Sequence, residues 1–194
     1  LNKDLTQKIF ENAISVLEKG GVVLYPADTI WGIGCDPTNP EAIQKIYNIK
    51  GRDERKPLIL LVADLDMLYQ VVRSIHPRVE TLLHLHERPL TVIYPKPTSA
   101  YLHLAGPDGS IGVRIVKNGV CHDFLEAYGK PIISTSANLS GSPSPVRFGT
   151  ISSEIISAVD YVFPAFTEKE ITGSPSVIAR YDSEGELDFI RTNA

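Results

Sequence analysis

The chain has 194 residues, 43% of them apolar and 22% charged, with a formal net charge of -4. That balance supports a packed core, excludes an intrinsically disordered chain, and fits one domain over 1–194, with room for at most a small appendage. There is no apolar run of the ~18 residues a membrane span needs, the mild acidity argues against a broad nucleic-acid surface while leaving room for a local basic pocket, and the cysteines Cys35 and Cys121 form no Cys-x-x-Cys, which argues against a disulfide framework or a cysteine zinc site.

From Asp4 to Lys19, Leu5, Ile9, Ala13, Ile14 and Leu17 fall on one helical face, and Gly20-Gly21 closes the helix. The N-terminus shows no basic stretch followed by an apolar one, so no secretory signal is expected and a reducing cytoplasm fits. Val22–Tyr25 reads as a strand, and Pro26–Gly34 as a loop of small polar groups with two glycines that allow close backbone approach. Gly32-x-Gly34 lacks the third glycine of a dinucleotide fingerprint. Asn39-Pro40-Glu41 is a helix start, with a cap, a proline and an acid in the right places, and Ile43, Ile46 and Tyr47 face inward. Leu58–Val62 is an apolar strand. Asp64 caps a helix to about Val72, another helix starts at Pro77, and Leu90–Tyr94 is a strand. Residues 95–109 form a Pro/Gly-rich loop long enough to be functional. Ser110–Val116 is a strand, residues 120–128 form a helix closed by Gly129, and Pro131–Ile133 is a buried strand. A helix near 151–159 and strands near 161–163, 176–180 and 187–190 complete the order. Mixed crossovers and hairpins predict a twisted mixed α/β sheet with helices packed on it.

Three stretches carry chemistry. Ser134-Thr135-Ser136-Ala137-Asn138 crowds hydroxyls and an amide onto the turn expected after a strand, where open α/β sheets bind ligands. A Ser/Asn-rich surface turn has the same composition. Lys50-Gly51-Arg52-Asp53-Glu54-Arg55-Lys56 is the dense cationic cluster of the chain; on charge alone it equally describes a solvated loop, and no P-loop motif occurs. Arg114 stands in an apolar strand and needs an anionic partner, either a structural carboxylate or a ligand phosphate. His84 and His86, two apart on a helix, do not share a face and make a poor metal pair.

Lys50-x-Arg52 with Ser136-x-Asn138, the Pro26–Gly34 loop, Arg88-Pro89-Leu90-Thr91, Val113-Arg114, Ser144-Pro145 and Gly173-Ser174-Pro175-Ser176 together resemble the YrdC/Sua5 family of threonylcarbamoyl-AMP synthases. The matches run in family order from about residue 20 to 180. The chain looks like the short bacterial form, without room for an additional C-terminal domain. It departs from the family at Ala27, where threonine or serine is usual, and at Trp31, where tyrosine is usual.

The resemblance implies a YrdC/RibB-like mixed sheet around a deep, electropositive concave cavity. It implies that L-threonine, bicarbonate and ATP yield threonylcarbamoyl-AMP and pyrophosphate, for t6A at position 37 of tRNA, with other proteins transferring the threonylcarbamoyl group. Lys50 and Arg52 are then the catalytic cations. Thr91, Arg114, Ser134, Ser136, Asn138, Ser144 and Ser176 join them around ATP, and Thr29 and Trp31 hold threonine. Mg2+ rides on the triphosphate, with no protein metal site expected. The nucleophile is an N-carboxylate and already anionic, so the lack of a Ser-His-Asp or Cys-His set is consistent. The alternative reading is a double-stranded RNA or tRNA-binding module, against which the net charge weighs.

Overall fold

The computed structural model describes residues 3–169 and 171–192. Its helices are α1 (Lys3–Glu18), α2 (Pro40–Lys50), α3 (Leu65–Val71), α4 (Pro77–Leu85), α5 (Gly119–Tyr128) and α6 (Ser153–Ala158). Its strands are β1 (Val23–Pro26), β2 (Trp31–Cys35), β3 (Ile59–Val62), β4 (Leu90–Tyr94), β5 (Ile111–Ile115), β6 (Ile132–Ser136), β7 (Tyr161–Val162), β8 (Val177–Tyr181) and β9 (Leu187–Arg191). They form one nine-stranded mixed sheet in the order β7-β1-β2-β6-β3-β5-β4-β8-β9. The pairs β1–β7, β3–β5 and β4–β8 are parallel and the other neighbours antiparallel. No helix of the described residues is long and apolar enough to cross a membrane.

Local signals account for the helix ends. Asn39 Oδ1 accepts from Ala42 N at 3.0 Å, and α2 stops where Gly51 turns left-handed at φ 55°. Asp64 Oδ1 accepts from Met67 N at 2.7 Å to start α3. Leu5, expected inward on α1, is exposed, while Ile9, Ala13 and Leu17 are buried. α1 and α5 pack together and cover β1, α2 packs on β2, and α3 on β3 and β5.

Two expectations change. The Pro26–Gly34 stretch is not all loop: Trp31–Cys35 turns back as β2 and pairs with β1. Glycine is a weak strand former, and here the pairing on both sides, with β1 and β6, outweighs local preference. The strand at Pro131–Ile133 does not end there; Ser134, Thr135 and Ser136 continue it as β6, paired with Gly34, Ile33 and Gly32 of β2. The hydroxyls thus sit on a sheet and not on a free turn. The long 95–109 loop carries a 3-10 turn over Ser99–Leu104.

Register decides what the sheet presents. Gly32 faces Ser136, Ser134 faces Ile59, Ile59 faces Gly112, Arg114 faces Thr91, and Ile93 faces Arg180 across successive strands. Side chains alternate along strands, so these positions share one face. The intervening positions, Leu24, Ile33, Leu60, Val92, Val113, Ile133 and Ala179, are buried and belong to the core cluster.

Candidate active site

The first face opens into a cavity of about 510 Å3. Its lining takes Thr29, Trp31, Arg52, Thr91, Arg114, Ser134, Ser136, Ser144 and Ser176, nine of the residues expected from the sequence. Lys50 and Asn138 are not part of that lining. Arg180 and Arg191 are, and so are Asp108 and Ser110. Among the described residues, four arginines and one carboxylate line this space.

Lys50 is buried at the last turn of α2. Its ammonium donates to the Ser136 carbonyl oxygen and to the Asn138 carbonyl oxygen, the latter at 2.6 Å, and its own carbonyl accepts from Ser140 N at 2.8 Å. The lysine therefore grips the chain leaving β6 from behind. Burial, and then the nearby charge of Arg52, pull its pKa down from 10.5 to about 8. Asn138 completes the turn by donating from Nδ2 to the carbonyls of Leu139 at 3.0 Å and Ser142 at 2.6 Å. Its Oδ1 is buried without a hydrogen bond.

Arg52 reaches the cavity from the loop after α2. Its Nε and Nη2 donate to the carbonyls of Lys56 at 3.3 Å and Pro57 at 3.2 Å, which hold the guanidinium in place without neutralising it. Arg114 is buried, and of its two candidate partners the structure supplies the structural one. Its Nη2 lies 3.0 Å from Asp28 Oδ1, an ion-pair approach without the alignment of a hydrogen bond. Its Nη1 donates to Thr29 Oγ1 at 3.2 Å, and its Nε keeps no protein partner.

Trp31 is fully buried yet reaches the lining. Its indole N–H donates to Glu168 Oε2 at 2.8 Å, and the same oxygen accepts from Phe148 N at 2.7 Å. The indole meets the Phe148 ring edge-on at 5.2 Å. On the far wall, Thr91 Oγ1 and Ser176 Oγ share a hydrogen bond at 2.7 Å. Arg191 donates to the Ser176 carbonyl from Nε at 3.0 Å and Nη2 at 2.7 Å. Arg180 pairs with Asp108 at 2.7 Å.

Arg180 and Arg191 escaped the sequence reading because each is an isolated arginine on an ordinary strand. One signal could have found Arg180. Ser176, Ile178 and Arg180 are spaced by two, so assigning Ser176 to the site puts Arg180 on the same face. Nothing comparable marks Arg191.

A metal cage is not evident in the cavity, whose one lining carboxylate, Asp108, is already paired with Arg180. His84 and His86 do not line it either. Among the described residues, His122, Asp123 and Glu126 come close enough together to ligate an ion, but they lie on α5, outside the cavity lining.

The family model named Sua5/YciO/YrdC, described as "Telomere recombination", matches residues 15–192. The chain belongs to this family. Among its relatives, the threonylcarbamoyl-AMP synthase of Vibrio parahaemolyticus serotype O3:K6 is 37% identical over 137 residues, 69% of this chain and 74% of that one. The threonylcarbamoyl-AMP synthase of Escherichia coli K12 is 33% identical over 146 residues, 74% of this chain and 77% of the relative. The fold of E. coli YciO superposes with a TM-score of 0.82 at 23% identity, covering 95% of this chain and 89% of that one. Sua5 of P. abyssi, complexed with L-threonine, gives 0.84 at 23% identity and covers 96% of this chain. This chain spans about half of that Sua5, 54% of its length. These likenesses establish the mixed sheet as the family's fold.

Proposed function

We propose that the chain is a threonylcarbamoyl-AMP synthase, a nucleotidyltransferase that makes threonylcarbamoyl-AMP and pyrophosphate from L-threonine, bicarbonate and ATP. The observation that carries the reading is the cavity itself: in a member of this family, arginines and hydroxyls from five strands and from loops beside the sheet converge on one space large enough for a nucleotide and an amino acid. The neutral threonine amine bonds to the bicarbonate carbon with loss of one water, giving an N-carboxylate. One of its oxygens attacks the α-phosphorus, and the bond to the β-phosphate oxygen breaks to release pyrophosphate.

No side-chain nucleophile is needed, only alignment and charge stabilisation. Arg52 and Arg191 face the phosphates, because guanidinium forks bind two phosphate oxygens at once. Ser134, Ser136, Ser144, Ser176 and Thr91 meet phosphate, ribose or carbamoyl oxygens. Arg114 offers its unspent Nε to the threonine carboxylate beside Thr29, and Trp31 closes that end. Lys50 and Asn138 act on the same site by holding the turn that presents Ser136. Mg2+ arrives on the triphosphate, since the lining offers one carboxylate that is already engaged. The product would pass to proteins that modify tRNA, in the cytoplasm.

The test is pyrophosphate release from ATP with threonine and bicarbonate supplied or withheld, followed by mass analysis with labelled bicarbonate. The label should appear in threonylcarbamoyl-AMP. Robust turnover in degassed, bicarbonate-free buffer overturns the reading.

A further inference from the structure

The Gly32-Ile33-Gly34 run lies beneath a side chain. Tyr25, on β1, is wholly buried, and its hydroxyl reaches β6, with β2 lying between the two strands. A Cβ at Gly34 would fall 3.0 Å from Tyr25 Cε1, 3.3 Å from its hydroxyl oxygen and 2.3 Å from the Ile133 carbonyl oxygen. A Cβ at Gly32 would lie 3.4 Å from Ser134 Oγ and 3.6 Å from Tyr25 Cζ. Neither glycine has a positive φ, so what these positions need from glycine is space.

Tyr25 OH ends 2.6 Å from Ser134 Oγ. A buried phenol needs an acceptor, and among the described residues Ser134 is the side chain that supplies it. The phenol is the stronger acid of the two hydroxyls, so it donates. Burial raises its pKa well above the ordinary phenol range, which keeps the proton in place at any working pH. Ser134 Oγ then accepts from Tyr25, and its own proton is left for the cavity that Ser134 lines.

We propose that Tyr25 is a positioning residue that, by donating across the glycine floor of β2, commits the Ser134 hydroxyl to act as a donor into the cavity. With one lone pair held by Tyr25, that position presents its proton to an acceptor oxygen, of a phosphate or a carboxylate. The proposal rests on the synthase reading and deepens it.

The experiment compares Tyr25→Phe, Ser134→Ala and the double variant by steady-state pyrophosphate release, with ATP and threonine varied separately. Ser134→Ala should lower kcat/KM by about 10–100-fold, the scale of one hydrogen bond to a charged oxygen. Tyr25→Phe should lower it by roughly 5–10-fold, because the serine stays but loses its orientation. In the Ser134→Ala background, Tyr25→Phe should add nothing, the mark of one shared path. A rise confined to the KM for ATP assigns the oxygen to phosphate, and one confined to threonine assigns it to a carboxylate. An equal further loss in the Ser134→Ala background would make Tyr25 a packing residue and overturn the proposal, as would a fully active Tyr25→Phe.

A second measurement needs only folded wild type and Ser134→Ala. The Tyr25 hydroxyl proton should give a slowly exchanging downfield resonance in proton NMR that disappears in the variant. Its absence from the wild type also overturns the proposal. An inactive wild type that still shows the resonance removes the synthase reading while leaving the Tyr25–Ser134 bond standing.

Discussion

The two cationic walls of the cavity are built in opposite ways. On one side, residues 50–56 hold Lys50, Arg52, Arg55 and Lys56 within one short stretch of chain. Only Arg52 of these lines the cavity. Lys50 is turned under β6, Arg55 pairs with Asp53 at 2.7 Å in solvent, and Lys56 is exposed. On the other side, Arg180 and Arg191 are solitary in sequence, and antiparallel pairing of β8 with β9 sets them along the same wall. A run of charge along a chain is therefore a poor guide to charge in a site. Neighbours in a loop point in different directions, whereas strand pairing gathers distant side chains onto one face.

The largest expected effect tests the claim that Arg52 alone acts from the first wall. Arg52→Ala should reduce the rate of adenylate formation by about 10²–10³, the cost of one preorganised contact to developing charge. Its bonds go to loop carbonyls, so the unfolding free energy should move by no more than ~0.5 kcal/mol. A stable variant with near-normal turnover would make the wall a solvated basic loop.

Lys50 should behave in the reverse manner. Lys50→Met takes the ammonium from the part-buried carbonyls of Ser136, which still accepts from Asn138 N at 2.9 Å, and of Asn138, a loss of about 1–3 kcal/mol of stability, with activity falling as the turn loosens. A pH dependence sharpens the contrast. The folded-state pKa of about 8 lies below the ordinary 10.5, so between those values the unfolded chain holds the proton that the folded protein has shed. Folding therefore gains stability from this group as pH rises through that window, and below about 8 the cost of burying the charge is fully present. Denaturation curves should show wild type gaining on Lys50→Met as pH is raised from about 8 towards 10.5. A gap that narrows there would mean the ammonium is not desolvated.

On the second wall, Arg191→Ala removes both donors to the Ser176 carbonyl and one cavity cation. About a tenfold rise in the KM for ATP is expected, with a smaller change in kcat, readable from the same release assay. The smallest effect belongs to Lys56→Ala, which shares loop and charge with Arg52 but not the cavity. Activity should stay within about twofold and stability within ~0.5 kcal/mol. Equal losses in Arg52→Ala and Lys56→Ala would reduce the first wall to bulk electrostatics.

Much of the fold was legible because its signals are local. Asn39-Pro40 and Asp64 start helices with their own side chains, Gly51 and Gly129 end them with positive φ, and β4 is an apolar run bounded by Pro89 and Pro95. β2 was not legible, since Trp31-Gly32-Ile33-Gly34-Cys35 has one β-branched residue set between two glycines, which are weak strand formers. The continuation of β6 through Ser136 was hidden for a related reason. Serine favours turns locally, and only the β2 and β3 partners on either side hold Ser134 in the sheet.

The sequence by itself determined the family, the order of elements apart from β2, and most of the hydroxyls at the site, because those are properties of residue types at spacings. Tertiary structure alone decided which of those groups face one another. It gave Arg114 its carboxylate in Asp28, sent Lys50 behind the wall and not into the cavity, brought Arg180 and Arg191 to the far side, and laid Tyr25 across Gly34 to reach Ser134. The physical reason is that a side chain's direction in a sheet is set by register with strands distant in sequence, and register is the outcome of packing the whole chain at once.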